Sequence, residues 1–174
     1  MPRIDRHPFL MSGLLEGWDW FDNGLQNLVK DGGFRPLNKS QSMMVLYVSA
    51  GVTRPSDIAR KMRLSRQAIR HIANQLIAQK ILLAHDDPAD GRSVILGFTQ
   101  RSTGIREFAR NAIRDLEDVL RSRIGGEDYA ALKRVLNLDW GKVVKRISEL
   151  PSGAHTATSN GKRRRKAKKP RRKI

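Results

Sequence analysis

The 174-residue sequence contains no cysteine. That excludes disulfides, cysteine-ligated zinc, iron–sulfur clusters and thiol-based redox sensing. Its four histidines, His7, His71, His85 and His155, lie far apart and without metal-ligand spacing, so no metal site is expected. No apolar run approaches the roughly 18–20 residues needed to cross a bilayer. The opening Met1-Pro2-Arg3-Ile4-Asp5 lacks the apolar segment of a secretory signal, and a cytoplasmic protein without a membrane partner is expected. Paired carboxylates, a nucleophile beside a base and a phosphate-cradling glycine loop are all missing, and Gly32-Gly33 and Gly125-Gly126 read as helix stops. The sequence therefore points away from an enzyme and from any cofactor. Acidic side chains are scarce too: 17 Asp and Glu stand against 34 Lys and Arg, a formal charge of +17.

An excess of that size calls for a polyanionic partner, and its distribution narrows the choice. Residues 162–174 hold ten basic side chains and no acidic one, which leaves +7 for residues 1–161. Of that, residues 54–80 carry +6, from Arg54, Arg60, Lys61, Arg63, Arg66, Arg70 and Lys80 against Asp57 alone. The rest is nearly neutral. At 39% apolar the body can bury a core, while ten like charges in thirteen residues bury nothing. The organisation expected is an N-terminal arm (1–11), one domain (12–150), and a flexible linker with a disordered basic tail (151–174), the break falling where Pro151 cannot continue a helix.

Hydrophobic periodicity supplies the elements. Leu14, Trp18, Phe21, Leu25, Leu28 and Val29 define a first helix, with Ser12 as its expected cap. A second runs from Ser40 to Ala50, capped by Asn38 or Ser40 and closed by Gly51. Pro55 to Met62 is a short helix with proline in its first turn, and Ser65 caps a longer one over Arg66–Gln79. Two helices joined by about three residues form a helix-turn-helix pattern, with Ala59 where close helix approach asks for a small side chain. Ile81–His85 and Ser93–Phe98 read as strands flanking a polar turn from Asp86 to Arg92. A long helix follows, with Ile105, Phe108, Ala112, Ile113, Leu116, Val119, Leu120 and Ile124 along one stripe, and a last one spans about Glu127–Glu149. The fold class is mainly α with a small β-hairpin wing: a winged helix-turn-helix flanked by N- and C-terminal helices. The long helix outruns a small winged-helix core, so its stripe is expected to pack on a second copy of the chain.

Leu37-Asn38-Lys39-Ser40-Gln41, Pro55-Ser56-Asp57-Ile58-Ala59, Leu64-Ser65-Arg66-Gln67-Ala68-Ile69 and Asp86-Asp87-Pro88-Ala89-Asp90-Gly91-Arg92 fall in the order and spacing of MarR-type regulators. Over roughly residues 12–148 the chain resembles a winged-helix transcription factor of that family, the acidic-Pro-x-Asp-Gly-Arg wing being the most specific element. The resemblance implies a prokaryotic, nucleoid-associated homodimer on a pseudo-palindromic operator. It also implies a small, often phenolic, effector bound near the dimer helices, whose identity stays open. The sequence departs from the pattern at Ser102, where the family usually has glycine, in lacking the cysteines of thiol-sensing members, and in its basic tail.

With Ile69, Ile72 and Leu76 facing inward, the outer face of the second helix of the motif carries Gln67, Arg70, His71 and Asn74. Such a face enters the major groove of double-stranded DNA, where Arg pairs with guanine and Gln or Asn with adenine. The resemblance puts base contacts at Arg66, Gln67, Arg70 and His71. Ser65 at the helix N-terminus suits a phosphate, and Arg92 at the wing tip suits a minor groove. The resemblance further implies that Asp90 stabilises the wing by pairing with Arg92. Trp18, Trp20 and Phe21 are candidates for an effector cleft, although an aromatic stripe is more often core. The leading function is thus a sequence-specific transcriptional regulator, a repressor in the first instance. The alternative is an architectural, nucleoid-coating protein in which the tail dominates.

Overall fold

The structure, a computed structural model, describes residues 9–151, apart from the side chain of Arg92. They fall into two units, one ending at Ala130 and the other beginning at Ala131. The elements are α1 (Leu10–Asp31), α2 (Lys39–Ser49), α3 (Pro55–Met62), α4 (Arg66–Ala78), β1 (Leu82–Asp87), β2 (Asp90–Phe98), α5 (Thr103–Ile124) and α6 (Gly126–Leu136). Single 3-10 turns lie at Gln100–Ser102 and Ile147–Glu149. The basic tail and the first eight residues of the expected arm lie outside the described residues.

Local chemistry sets most boundaries in the first unit. Asn38 Oδ1 accepts from the Gln41 backbone N–H (3.0 Å), while Gln41 Oε1 accepts from the Asn38 N–H (3.1 Å), a reciprocal capping box for α2. Pro55 opens α3, and Arg63 ends it in the left-handed region at φ 54°. Ser65 Oγ accepts from the Ala68 N–H (3.1 Å) at the start of α4. α1 begins at Leu10 with Phe9 in the cap position and no side-chain cap, so Ser12 lies inside the helix rather than capping it. Thr99 caps the 3-10 turn that precedes α5.

The core gathers one face from each small element. Met44 and Val48 of α2, Ile58 and Ala59 of α3, Ile69, Ile72, Ala73 and Leu76 of α4, and Ile81, Leu82 and Leu96 of the hairpin form one buried cluster. At about 0.8 kcal/mol per buried methylene, this cluster is what holds α4 in place. The hairpin is a two-stranded antiparallel sheet in which Leu82 pairs with Phe98 and Asp86 with Val94. Pairing then jumps to Asp87 with Asp90, so residues 91–93, including the backbone of Arg92, bulge from β2. The strands reach further toward the tip than expected, and only Pro88-Ala89 are left as the turn.

α1 and α5 run antiparallel and pack against each other. A Cβ at Gly24 would sit 2.9 Å from Leu116 Cδ2, and one at Gly32 would sit 2.5 Å from Phe108 Cζ. Glycine at these two places lets the large side chains of α5 rest on the backbone of α1 and of its C-cap. Phe34 meets Phe108 at a tilt of 51° with centroids 5.3 Å apart, and the Arg123 guanidinium lies 5.7 Å from the Trp20 ring. The apolar stripe of α5 thus packs in part on α1 of the same chain, which leaves most of its side chains half-buried and Val119 exposed.

The second unit corrects one expectation. The last helix, expected to reach Glu149, stops at Leu136. Asn137 folds its side-chain Nδ2 back onto the Lys133 carbonyl (2.7 Å), and Asp139 Oδ1 accepts from the Gly141 N–H (2.8 Å). Gly141, at φ 77°, turns the chain, and Trp140 Nε1 donates to the Val135 carbonyl (3.0 Å). These bonds compete with the next helical turn and win. Trp140, Val143, Val144 and Ile147, which read as a continuing stripe, are exposed.

Candidate DNA-reading face

α4 separates its two faces cleanly. Ile69, Ile72, Ala73 and Leu76 are buried, whereas Arg66, Gln67, Arg70, His71 and Asn74 are all exposed, with Ser65 exposed at the N-cap. The structure thus brings together six of the seven residues expected to meet DNA on one helix and its cap. Accepting the Ala68 N–H leaves the Ser65 hydroxyl proton able to donate outward beside the open helix N-terminus, a place that favours an anion. Neighbouring cations are restrained: Arg60 pairs with Asp57 (2.5 Å), and the Lys61 ammonium lies 5.9 Å from the Tyr47 ring centroid.

The seventh residue, Arg92, sits in the bulged stretch of β2. The expected Asp90–Arg92 pair lies outside the described residues, because the Arg92 side chain does. Asp90 Oδ2 accepts from Ser93 Oγ (2.7 Å) across the same bulge.

The wing is held beside its turn by a pair that sequence reasoning missed. Asp87, counted as a turn residue, is buried, and its Oδ2 accepts from Arg54 Nε at 2.7 Å. Its Oδ1 accepts from the Ala89 N–H (2.9 Å). The Ala89 amide first, and Arg54 second, hold this carboxyl below the usual aspartate range. Arg54 is raised in turn, chiefly by its hydrogen bond to Asp87. Together with Leu96 N–H donating to the Thr53 carbonyl (2.9 Å), this ties the hairpin to the segment that leads into α3. Arg54 therefore belongs to the wing support as well as to the cationic segment.

A cavity of about 530 Å³ lies among α1, α2 and α5, closed on one side by Ile81 and Phe98. Its walls are mostly apolar, and Gln26, Ser42, Arg106 and Arg110 are among the polar side chains that line it. Gln26 and Ser42 both donate to Asp22 Oδ1 (3.3 and 2.5 Å), and the Leu37 N–H donates to Gln26 Oε1 (2.7 Å). Arg106 Nε is buried and without a hydrogen-bond partner among the described residues. Trp18, Trp20 and Phe21 do not line this cavity. Among the described residues no cluster of His, Asp or Glu could hold a metal, and no helix is long and apolar enough to cross a membrane.

A helix-turn-helix whose second helix exposes a polar, cationic face, followed by a hairpin and flanked by long helices, is a winged helix-turn-helix. Its fold is that of MarR-family transcriptional regulators. The apo form of wild-type MarR from E. coli is 15% identical with a TM-score of 0.60, the match covering 75% of this chain and 96% of that one. Transcriptional regulator Tm0710 from Thermotoga maritima is 17% identical (TM-score 0.53; 72% and 87% covered). NadR in complex with 4-hydroxyphenylacetate is 18% identical (TM-score 0.57; 78% and 95% covered). These structural neighbours are transcriptional regulators, not enzymes. No protein-family model and no curated protein matches the chain.

Proposed function

We propose that this protein is a sequence-specific double-stranded-DNA-binding transcriptional regulator, a repressor, that binds a pseudo-palindromic operator as a homodimer. The observation that carries the reading is the exposed face of α4, where Arg66, Gln67, Arg70, His71 and Asn74 stand on a helix fixed from behind by four buried side chains. Rigid placement is what base readout needs, and Arg, Gln and Asn are the side chains that pair bidentately with bases. Arg92 on the wing reaches the adjacent minor groove, with Asp90 steadying it. Ser65 and the α4 N-terminus take a backbone phosphate.

Exposed apolar side chains support the homodimer. Phe9, Leu10, Met11 and Leu15 at the start of α1 are each more than half exposed, and so are Leu138, Trp140, Val143, Val144 and Ile147 of the second unit. Surfaces of this kind mark contacts with another chain. The cavity beside α5 supports an effector: apolar walls with an unpartnered Arg106 Nε fit a small apolar anion. 4-Hydroxyphenylacetate, present in the NadR structure, has that chemistry.

A second reading, an architectural protein with little sequence preference, is favoured by the ten charges of residues 162–174, which can hold phosphates but not base edges. Selection from a pool of random duplexes separates the two. The regulator enriches an inverted repeat with half-sites about one helical turn apart. Failure to enrich any motif would favour the architectural protein.

A further inference from the structure

We propose that Gln41 and Gln75 are positioning residues that fix His71 in the tautomer protonated on Nδ1 and so set the base edge it reads. The inference rests on the DNA-reading assignment of α4 and adds to it.

The argument starts from a group with no choice. The backbone N–H of Asn38 can only donate, and it donates to Gln41 Oε1 at 3.1 Å. The oxygen of the Gln41 amide is thereby fixed toward Asn38, and its NH2 must face the other way. That NH2 lies 2.9 Å from the Gln75 amide on α4. Two NH2 groups cannot satisfy each other, so Gln75 presents Oε1 to Gln41 and its own NH2 to the far side. There Gln75 Nε2 lies 2.9 Å from His71 Nε2. A ring nitrogen facing an NH2 has to offer a lone pair, which leaves the neutral ring's proton on Nδ1.

Each step is decided by the one before, and the first is anchored in the capping box of α2. The anchor is rigid: Gln41 is only 7% exposed, and it joins the helix cap to α4 across 34 residues of sequence. An exposed His–Gln pair one turn apart on a helix would by itself let the ring exchange tautomers by flipping the amide. The buried glutamine on a second helix removes that freedom.

The consequence is a defined readout. With Nε2 engaged by Gln75, the remaining ring nitrogen of His71 is an N–H donor. At the exocyclic position of a base edge it can meet guanine O6 or thymine O4, and it is mismatched to the amines of adenine and cytosine. The opposite tautomer would reverse this preference. Neither Gln41 nor Gln75 needs to touch DNA to exert it.

Gln41→Glu is the discriminating variant. A glutamate at this position keeps the capping box, since one carboxylate oxygen still accepts the Asn38 N–H. The other oxygen replaces the NH2, so Gln75 must turn its NH2 toward it and its oxygen toward His71, forcing the proton onto Nε2. Nitrogen-15 NMR of the His71 ring in the full chain, at alkaline pH where a free imidazole is neutral, reads the tautomer directly. We expect Nδ1–H to dominate in the wild type and Nε2–H in Gln41→Glu. Gln75→Leu, which leaves the cap untouched, should release the ring to populate both. Random-duplex selection should show one position moving from guanine or thymine to adenine or cytosine in Gln41→Glu, by about fivefold, the value of one hydrogen bond. Nε2–H in the wild type, or one tautomer in all three proteins, overturns the relay. An inverted tautomer with an unchanged motif overturns its role in specificity. If no protein selects a motif, the DNA-reading assignment fails, while the ring spectra still decide the tautomer.

Discussion

Ile69 and Arg70 are neighbours in sequence and opposites in structure, so replacing each with alanine separates folding from reading. Ile69 is fully buried between α2, α3 and the hairpin, whereas Arg70 is exposed and has no hydrogen bond or ion pair among the described residues. Ile69→Ala removes three carbon groups at about 0.8 kcal/mol each. With the cavity left behind, the loss of stability should be about 2–5 kcal/mol. Arg70→Ala should change stability by no more than about 0.5 kcal/mol, as for an exposed residue without partners. On operator DNA the order reverses. Arg70→Ala should cost about 1–3 kcal/mol and relax preference at one base pair, a loss of about five- to 150-fold in affinity. Ile69→Ala should bind within a few-fold of the wild type wherever it is still folded. Urea midpoints give the first pair of numbers, and fluorescence anisotropy at one salt concentration gives the second. Equal stability losses, or an Arg70→Ala protein that binds and selects as the wild type does, would refute the division of α4 into a structural face and a reading face.

Three further outcomes are expected. The depressed Asp87 carboxyl adds stability that is complete above the ordinary aspartate pKa of about 3.9 and disappears as pH falls through its lower folded value. The stability gap between wild type and Asp87→Asn should therefore be constant from neutral pH to about pH 4 and close in stronger acid; a gap that widens with acid contradicts the Arg54–Asp87 clamp. Leu15→Asp, at a residue 57% exposed, should sediment as a folded monomer at concentrations where the wild type is a dimer; a monomeric wild type or a dimeric variant counts against assembly through α1. Removing residues 162–174 should flatten the dependence of binding on salt, by about 0.9 in log–log slope for each phosphate the tail neutralises, and should weaken operator and scrambled DNA by the same factor. Identical slopes with and without the tail would place it off the DNA.

Much of the fold can be read locally because local chemistry decides it. Asn38 with Gln41, Pro55 and Ser65 act within four residues of their own helix ends, and the periodicity of α4 alone divides buried Ile69, Ile72 and Leu76 from exposed Arg66, Gln67, Arg70, His71 and Asn74. What escapes the sequence depends on distant partners or on polar groups that override periodicity. The spacing of Trp140, Val143, Val144 and Ile147 fits a helix, yet the side chains of Asn137 and Asp139 capture the backbone first. The α5 stripe looks unpartnered until Gly24 on α1 and Gly32 at its C-cap, eight residues apart, are seen as the places where Leu116 and Phe108 land. Asp87 reads as one more turn acid because Arg54 lies 33 residues away. The Gln41–Gln75 bond joins two neutral amides with no charge pattern to announce it.

The central claim is that the exposed face of α4 reads sequence, and a competition experiment tests it most directly. Full-length protein and a variant lacking residues 162–174 are each titrated onto a selected inverted repeat and onto scrambled DNA at one salt concentration. A regulator of this kind should prefer its operator by about a thousandfold or more, and both proteins should give the same ratio because the tail contributes only to the sequence-independent part. A ratio near one in both would contradict the claim and leave a DNA-coating protein.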